Sequence, residues 1–550
     1  MLSSRAVESA RRGLRVLYRI GASARSGFAR QTRAPGLHGV ATPSRRASPE
    51  VTHGYDDRTS TLLGHAVDPS GIPAAAERAD PELVHDFFRF RGVVSLAARR
   101  CAADGSPSSM GLLDTILRQV AGQVNRRSHI AWDTTTSSLR LLSLLSAAEL
   151  LKPSGRRLPG WDEWLRAFVE SHAWPLDYGR LCEPAGNHRF LNAAGVAALR
   201  LLLSDEPLPA RLGIKIADAA ALQFLPDGGH RERTPHYHVQ TLALMTLVAA
   251  ADERRGGNLA TALQPTGNAA TNALGLMVAA DGGLLRFGDA GPTFSGRPVA
   301  TEAAELLGGR SLPASGLLDA FGLLRHCWAA RGTQLSLHAD IGPHGIGDGC
   351  GHAHADALSF VLFRDGIPVV TDPGTFIYAD APAARWFKLP EAHNRVHWPR
   401  HSPYELRRFF HWSRYAGPPA AALASEGDGW SSTASQRWRG GGADVSYRRT
   451  WRGTPDGLIV TDDFASSVPA PVELTLSLAP GEVLARTSAG VRLERAGVEL
   501  SVSAADDATV DIDARTHAPQ YGTLTAVPAL VIRARSTPAG STIVTRFTVP

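Results

Sequence analysis

Residues 351–378 constrain the fold of this chain more than any other stretch. They read Gly-His-Ala-His-Ala-Asp-Ala-Leu-Ser-Phe-Val-Leu-Phe-Arg-Asp-Gly-Ile-Pro-Val-Val-Thr-Asp-Pro-Gly-Thr-Phe-Ile-Tyr. The run 357–363 is apolar and partly β-branched or aromatic, which predicts a strand. Asp365-Gly366 is a hairpin turn signal, and residues 367–371 form the returning strand, ending at Asp372-Pro373-Gly374. Such a hairpin brings Asp372 back towards His354. If the chain is extended at His352 and His354, both side chains point to one face. Two imidazoles and a carboxylate suit a three-ligand zinc site, and His393 and His397 supply further imidazoles. With 20 histidines in the chain, an H-x-H pair also arises by chance, so spacing alone leaves a metal site and a plain strand end both open.

Upstream the periodicity is helical. Residues 139–151 are an apolar run stopped by Pro153, and 161–174, 190–203, 212–224 and 238–251 carry helical spacing between Pro and Gly breaks. Residues 284–291 read as a strand ending in a turn. From Leu335 onward alternation takes over, at 335–338, 445–451, 458–462, 472–478, 491–504 and 529–534, separated by Gly, Pro and Asp turns. This pattern predicts an antiparallel β-sandwich. At 550 residues the chain is too long for one core. The expected division is a basic, flexible segment over 1–75, an α-helical domain over 76–320 and a β-sandwich domain over 321–550.

Composition narrows the function classes. A hydrophobic content of 43% against 20% charged is that of a globular protein, and without an apolar run of transmembrane length no spanning segment is expected. The net charge of +6 suits a polyanionic partner; no basic-aromatic module points to nucleic acid. The four cysteines, Cys101, Cys182, Cys327 and Cys350, are scattered without a C-x-x-C, which argues against a cysteine metal site. Cys350 is expected to be a small buried residue. Arginines interrupt the apolar residues of the first fifty positions, so no secretory signal is read there.

Two further constellations lie in the helical part. Asn187 and His188 open a helix, where Asn is a common cap and where backbone N–H groups face outward. The segment 227–238 reads Asp-Gly-Gly-His-Arg-Glu-Arg-Thr-Pro-His-Tyr-His, a turn followed by a helix with Pro235 in its first turn. Tyr237 would sit early in that helix among His230, Arg231, Glu232, Arg233, His236 and His238. That cluster is denser in polar groups than a plain core needs.

Taken together, Gly-His-x-His-x-Asp-x-Leu-Ser-Phe at 351–360, Asp-Pro-Gly-Thr at 372–375, His393-Asn394, Asn187-His188 and Tyr237 resemble the heparinase II/III-like polysaccharide lyases, which include heparin and heparan lyases and oligoalginate lyases. The resemblance implies an incomplete α/α toroid followed by an antiparallel β-sandwich. It implies Tyr237 as the principal acid/base with His352 as partner, and Asn187 and His188 neutralising the substrate carboxylate. Arg231, Arg233 and His238 would bind substrate anions. A structural metal, usually zinc, would be held by His354, Asp372 and His393. Arg395 stands where the family has a small residue, and His397 is the alternative third imidazole. The implied reaction is β-elimination on an anionic, uronate-containing polysaccharide at a cleft between the two domains. A zinc-dependent hydrolase and a non-catalytic glycan-binding protein are the competing classes. The family implies a periplasmic or envelope location, whereas the lack of a readable signal points to the cytoplasm.

Overall fold

The computed structural model describes residues 61–62, 65–66, 89–90, 93–124, 132–179, 187–291, 298–345, 351–426, 429–486, 490–505 and 507–550. Most of the basic N-terminal stretch, Cys182 and Cys350 lie outside them. Cys101 and Cys327 are free thiols, the first buried. No described helix is long and apolar enough to cross a membrane.

The chain forms two compact units. One comprises Met1–Gln223, Gln240–Asn268 and Pro292–Pro298; the other comprises Phe224–Val239, Ala269–Gly291 and Val299–Pro550.

The first unit is helical. Its central helix, Thr134–Leu151, is buried on nearly every side. The Asp133 side chain caps it by accepting from the backbone N–H groups of Thr135 and Thr136 at 3.0 and 3.1 Å, which satisfies donors that a helix start leaves free. Its end follows from Pro153, which sits in a 3-10 turn closed by left-handed Gly155. The helix Asn187–Leu203 packs closely on it. A Cβ at Gly195 would lie 2.4 Å from the Ser138 hydroxyl, so only glycine permits that approach. The helix expected over 161–174 is instead broken into a π-turn, Trp161–Leu165, a short helix, Arg166–Glu170, and a separate helix, Ala173–Gly179. The Gly160 carbonyl accepts from Glu163, Trp164 and Leu165 at once, a widened first turn that periodicity does not encode.

The second unit is antiparallel β-rich. A five-stranded meander runs Gly316–Leu318, Leu323–Ala330, Thr333–Asp340, Phe360–Arg364, Ile367–Val370. An eight-stranded sheet is built around Gly429–Gly440, Ala443–Thr454, Gly457–Ser466 and Ser541–Thr548. A four-stranded sheet places Thr525–Ser536 and Ala470–Ser477 at its centre and Val396–His397 at one edge. Ala443–Thr454 alternates strictly between buried and outward residues, as a strand with one face on a core must. Residues of all three sheets, among them Leu337, Phe360, Val370, Trp451, Leu474 and Ile532, share one apolar core. Antiparallel β-structure following a helical region is the predicted fold class.

The predicted hairpin forms: Asp365 and Gly366 take φ of 49° and 78°, the two positive values a tight primed turn requires. Its first strand starts at Phe360, later than expected, because Leu358 is held at φ 68°. The strand expected at 284–291 reduces to a single bridge between Val278 and Leu284. The following residues leave sheet geometry, and Asp289 N–H donates to the His352 carbonyl at 2.9 Å. The run 491–504 folds back on itself as Val491–Leu493 and Val498–Ser503 around left-handed Gly497.

Candidate active site

The loop 351–356 gathers the chemistry of the β-rich unit. His352 is partly exposed; His354 and Asp356 are buried. Between them and the core lies Asp289, completely buried. Its Oδ2 accepts from His352 Nδ1 at 3.1 Å and from Lys388 Nζ at 2.8 Å, and its Oδ1 accepts from His354 Nε2 at 2.8 Å. Burial alone would raise this carboxyl, but the Lys388 ammonium and the two imidazole bonds outweigh it and hold Asp289 well below the usual carboxylate range. The preceding Gly288 adopts φ 67°, and a Cβ there would come within 2.9 Å of Thr234 and 3.0 Å of the His352 carbonyl. Glycine at 288 thus lets the chain pass close to the His352 carbonyl and bring the Asp289 carboxylate to the histidines.

An anionic acceptor fixes both ring tautomers. His352 presents Nε2 outward. There the Glu232 carboxylate stands 3.9 Å away, and the Tyr237 ring lies with its centroid 4.1 Å from that of His352. Tyr237 is half-buried in the first turn of the helix Pro235–Glu253, whose start is set by Thr234: its hydroxyl accepts the Tyr237 N–H at 3.1 Å. Tyr378 backs the pair, with its ring 6.2 Å from His352. Burial, with Tyr237 and Asp289 as neighbours, pushes the Tyr378 phenol well above its ordinary value.

His354 with its Nε2–H on Asp289 has Nδ1 as a bare acceptor, and this buried atom has no hydrogen-bond partner. His393 mirrors it: Nδ1 bonds to Asp372 Oδ2 at 2.9 Å, and buried Nε2 has none. Ligand atoms of His354, Asp356 and His393 lie within 4.8 Å of one another. Two orphaned imidazole nitrogens converging beside a carboxylate are what a divalent metal would satisfy, so this cluster could coordinate an ion. Burial would raise Asp356, but the imidazoles of His393 and His354 hold it low. The neighbouring Asp340 is pushed well up by burial and by the Asp356 charge. Asp372, implied as a ligand by the resemblance, here also accepts the Gly374 N–H at 2.9 Å and bonds the ring of His393. His397 stands apart in the strand Val396–His397, paired with Ala470–Ser477.

Asn394 secures the loop that carries His393. Its amide donates to the carbonyls of Phe360 and Thr371, both at 2.9 Å, and its carbonyl accepts from Ser477 N–H at 2.8 Å. Arg395, unexpected after His-Asn, is buried and donates to the Tyr404 hydroxyl at 3.2 Å and the Ala355 carbonyl at 3.3 Å.

The remaining expected residues fall elsewhere. Asn187 and His188 begin the helix Asn187–Leu203 of the helical unit, where His188 Nδ1 meets the Thr135 hydroxyl at 2.9 Å. Arg231 is half-buried in the β-rich unit. Arg233, at φ 55°, donates to the carbonyls of Gly345 and Ala320 at 2.7 and 2.9 Å and so braces two loops. His238 is fully buried, with Nε2 on the Ala270 carbonyl at 2.9 Å and its ring edge-on to Phe224; it presents no surface to a ligand. Asp289, Asp356 and Lys388 received no role from the sequence. Asp356 stood inside the histidine motif and Asp289 in a Gly-Asp pair, but nothing local marked Lys388.

Comparison with known proteins bears on this geometry. Residues 312–545 match the family model described as heparinase II/III-like, C-terminal. No curated protein matches the sequence significantly. Among solved structures the chain is similar to heparinase III, with a TM-score of 0.68 at 13% identity over 98% of this chain and 91% of that one. It is also similar to the heparan sulfate lyase HepC of Pedobacter heparinus, with a TM-score of 0.55 at 17% identity over 98% and 88%. At these identities the likeness is one of fold, a helical region followed by an antiparallel β-rich domain.

Proposed function

We propose that this protein is a polysaccharide lyase that cleaves uronate-containing glycans by β-elimination. The observation that carries the reading is the close Tyr237–His352 pair, its rings tilted by 36° with centroids 4.1 Å apart, and His352 held by Asp289 in one tautomer. In this reaction the base takes the C5 proton, the electron pair forms the C4–C5 double bond, the C4–O4 bond breaks, and an acid protonates O4. A phenol and an imidazole in van der Waals contact are suited to these two proton transfers, with Tyr237 the principal acid/base and His352 its partner. The C5 proton becomes acidic enough only when the adjoining carboxylate is neutralised. The motif resemblance gives that task to Asn187 and His188, with Arg231 as a further anion contact.

The donor set of two imidazoles and a carboxylate favours zinc. His354 and His393 would hold it. When bound, the ion would tie the loop carrying His352 to the 393–394 loop, a structural service. Asp356 and Asp372 are the candidate carboxylates. Asp356→Asn and Asp372→Asn, each assayed for zinc content by elemental analysis, tell which one binds.

The primary test follows ultraviolet absorbance of the unsaturated uronate product across a panel of uronate glycans. Tyr237→Phe and His352→Ala are each expected to lower kcat by about 10²–10⁴-fold. A hydrolase would release saturated ends without that absorbance, and a binding protein would release nothing; either result overturns the proposal.

A further inference from the structure

Beside the candidate site lies a hairpin that the proposed reaction does not use. Glu405–Arg408 pairs with His411–Arg414, and Phe409 and Phe410 form its tip. Its two faces differ sharply. Leu406, Phe409 and Trp412 are buried. Leu406 and Trp412 pack with Ala353, Ala355, Tyr404 and Ala416, and Trp412 Nε1 donates to the Ala353 carbonyl at 3.1 Å. Ala353 and Ala355 alternate with His352 and His354, so the hairpin is bolted to the strip of chain that carries the candidate catalytic histidine.

The outer face carries Arg407, Arg408, His411 and Arg414, all exposed. Glu405 is the one acid on the hairpin, 4.0 Å from Arg407 in an exposed pair that is worth little. Arg408 and Arg414 have no acidic partner among the described residues. At the tip, Phe410 is 44% exposed, an unusual state for a phenylalanine, yet its ring centroid is 5.5 Å from that of His352 and 5.3 Å from that of Tyr378. An exposed aromatic ring next to a reacting centre, on a hairpin whose three exposed arginines share a single acid, Glu405, is complementary to a sugar ring followed by anionic substituents.

We propose that residues 405–414 form a substrate arm in which Phe410 stacks on a sugar next to the cleavage point and Arg407, Arg408 and Arg414 engage negative groups on the sugars beyond it. This rests on the lyase reading and adds a specificity to it: the substrate carries charge on consecutive sugars, as sulfate or as carboxylate, and a glycan with isolated uronates is a poor ligand.

The test is direct binding, read by calorimetry at several salt concentrations, so that cleavage is not needed. The probes are heparin-derived oligosaccharides for sulfate and alginate-derived oligosaccharides for carboxylate. Wild type is compared with Phe410→Ala and with Arg407→Gln/Arg408→Gln/Arg414→Gln, each checked for an unchanged melting profile. Wild type is expected to bind at least one probe with an affinity that falls as salt rises. The arginine variant should bind about tenfold more weakly with a flatter salt dependence, and Phe410→Ala about tenfold more weakly with the slope retained. Binding of the alginate probe shows that carboxylates suffice; binding of the heparin probe alone shows that sulfate is required. Failure of wild type to bind either probe, or unchanged affinity in both variants, overturns the arm. If binding depends on the arm but no glycan yields unsaturated product, the lyase reading fails alone. If product forms and the variants keep wild-type KM, the arm fails alone.

Discussion

Asp289 reaches His352 with one oxygen and His354 with the other, so a single carboxylate sets the tautomer of the proposed proton-transfer group and of a candidate metal ligand. The same carboxylate neutralises Lys388, which is fully buried over the Phe409 ring at 4.5 Å. Removing the charge therefore has two consequences that can be separated. Asp289→Asn strands the Lys388 ammonium and should destabilise the fold by about 3–5 kcal/mol in urea unfolding. Asp289→Asn combined with Lys388→Met removes both charges and should recover most of that loss. If Asp289 positions His352, kcat in the double variant stays about 10²-fold or more below wild type while KM changes little. A double variant that recovers activity along with stability would reduce Asp289 to a structural counter-ion. Of this network only His352 and His354 were visible in the motif; Asp289 and Lys388, which complete it, stand 63 and 36 positions away from His352.

At the scale of elements, the site depends on how loops are anchored to sheets. The hairpin Phe360–Arg364 to Ile367–Val370 was readable because its turn pair and its apolar strands are local signals. The 393–394 loop was readable only as a motif. Asn394 works as a clamp between Phe360, Thr371 and Ser477, three backbone segments that meet only in the folded unit. Beneath it Arg449 bonds Asp462 with two nitrogens, at 2.6 and 3.0 Å, and donates to the Leu358 carbonyl at 2.8 Å and to the Asn394 carbonyl. Asn394→Ala leaves several of these buried groups without partners and should cost about 2–4 kcal/mol in chemical denaturation. Because the clamp holds His393 in place, the same variant should also bind zinc more weakly in a chelator competition. A variant with unchanged stability would show that the loop is held by other contacts.

For the whole molecule, buried neutral histidines contribute to a loss of stability in acid. Burial, first among the causes, brings His172 and His338 to about 3 and His238 to about 4, against about 6.5 in an unfolded chain. Between those values the unfolded state binds more protons than the folded one, so stability falls as pH drops below about 6.5 and goes on falling to the folded values. Over that full range each such group contributes a loss of about 3–5 kcal/mol. Urea midpoints measured from neutral to mildly acidic pH should therefore decline steadily. His338, whose two ring nitrogens are both buried without partners, gives the control: His338→Leu should flatten the decline while leaving neutral stability close to wild type. A midpoint insensitive to pH over this range would show that these rings are not held neutral.

The amino-acid order by itself determined the succession of helical and alternating segments, the hairpin turn and the residue types of the candidate site, since each of these follows from spacing, φ preference and side-chain chemistry within a short window. Helical periodicity located the helices at 190–203, 212–224 and 238–251 to within a few residues of Asn187–Leu203, Ala210–Ala221 and Pro235–Glu253. Only the tertiary structure decided that the chain at 284–291 would leave strand geometry to present Asp289 and that His238 would turn into the core. It alone set Tyr237 against the ring of His352 and left Phe410 exposed beside it. Those outcomes are contacts between segments far apart in the chain, chosen by packing and by the need to satisfy buried polar groups, and neither condition exists until the whole unit has folded.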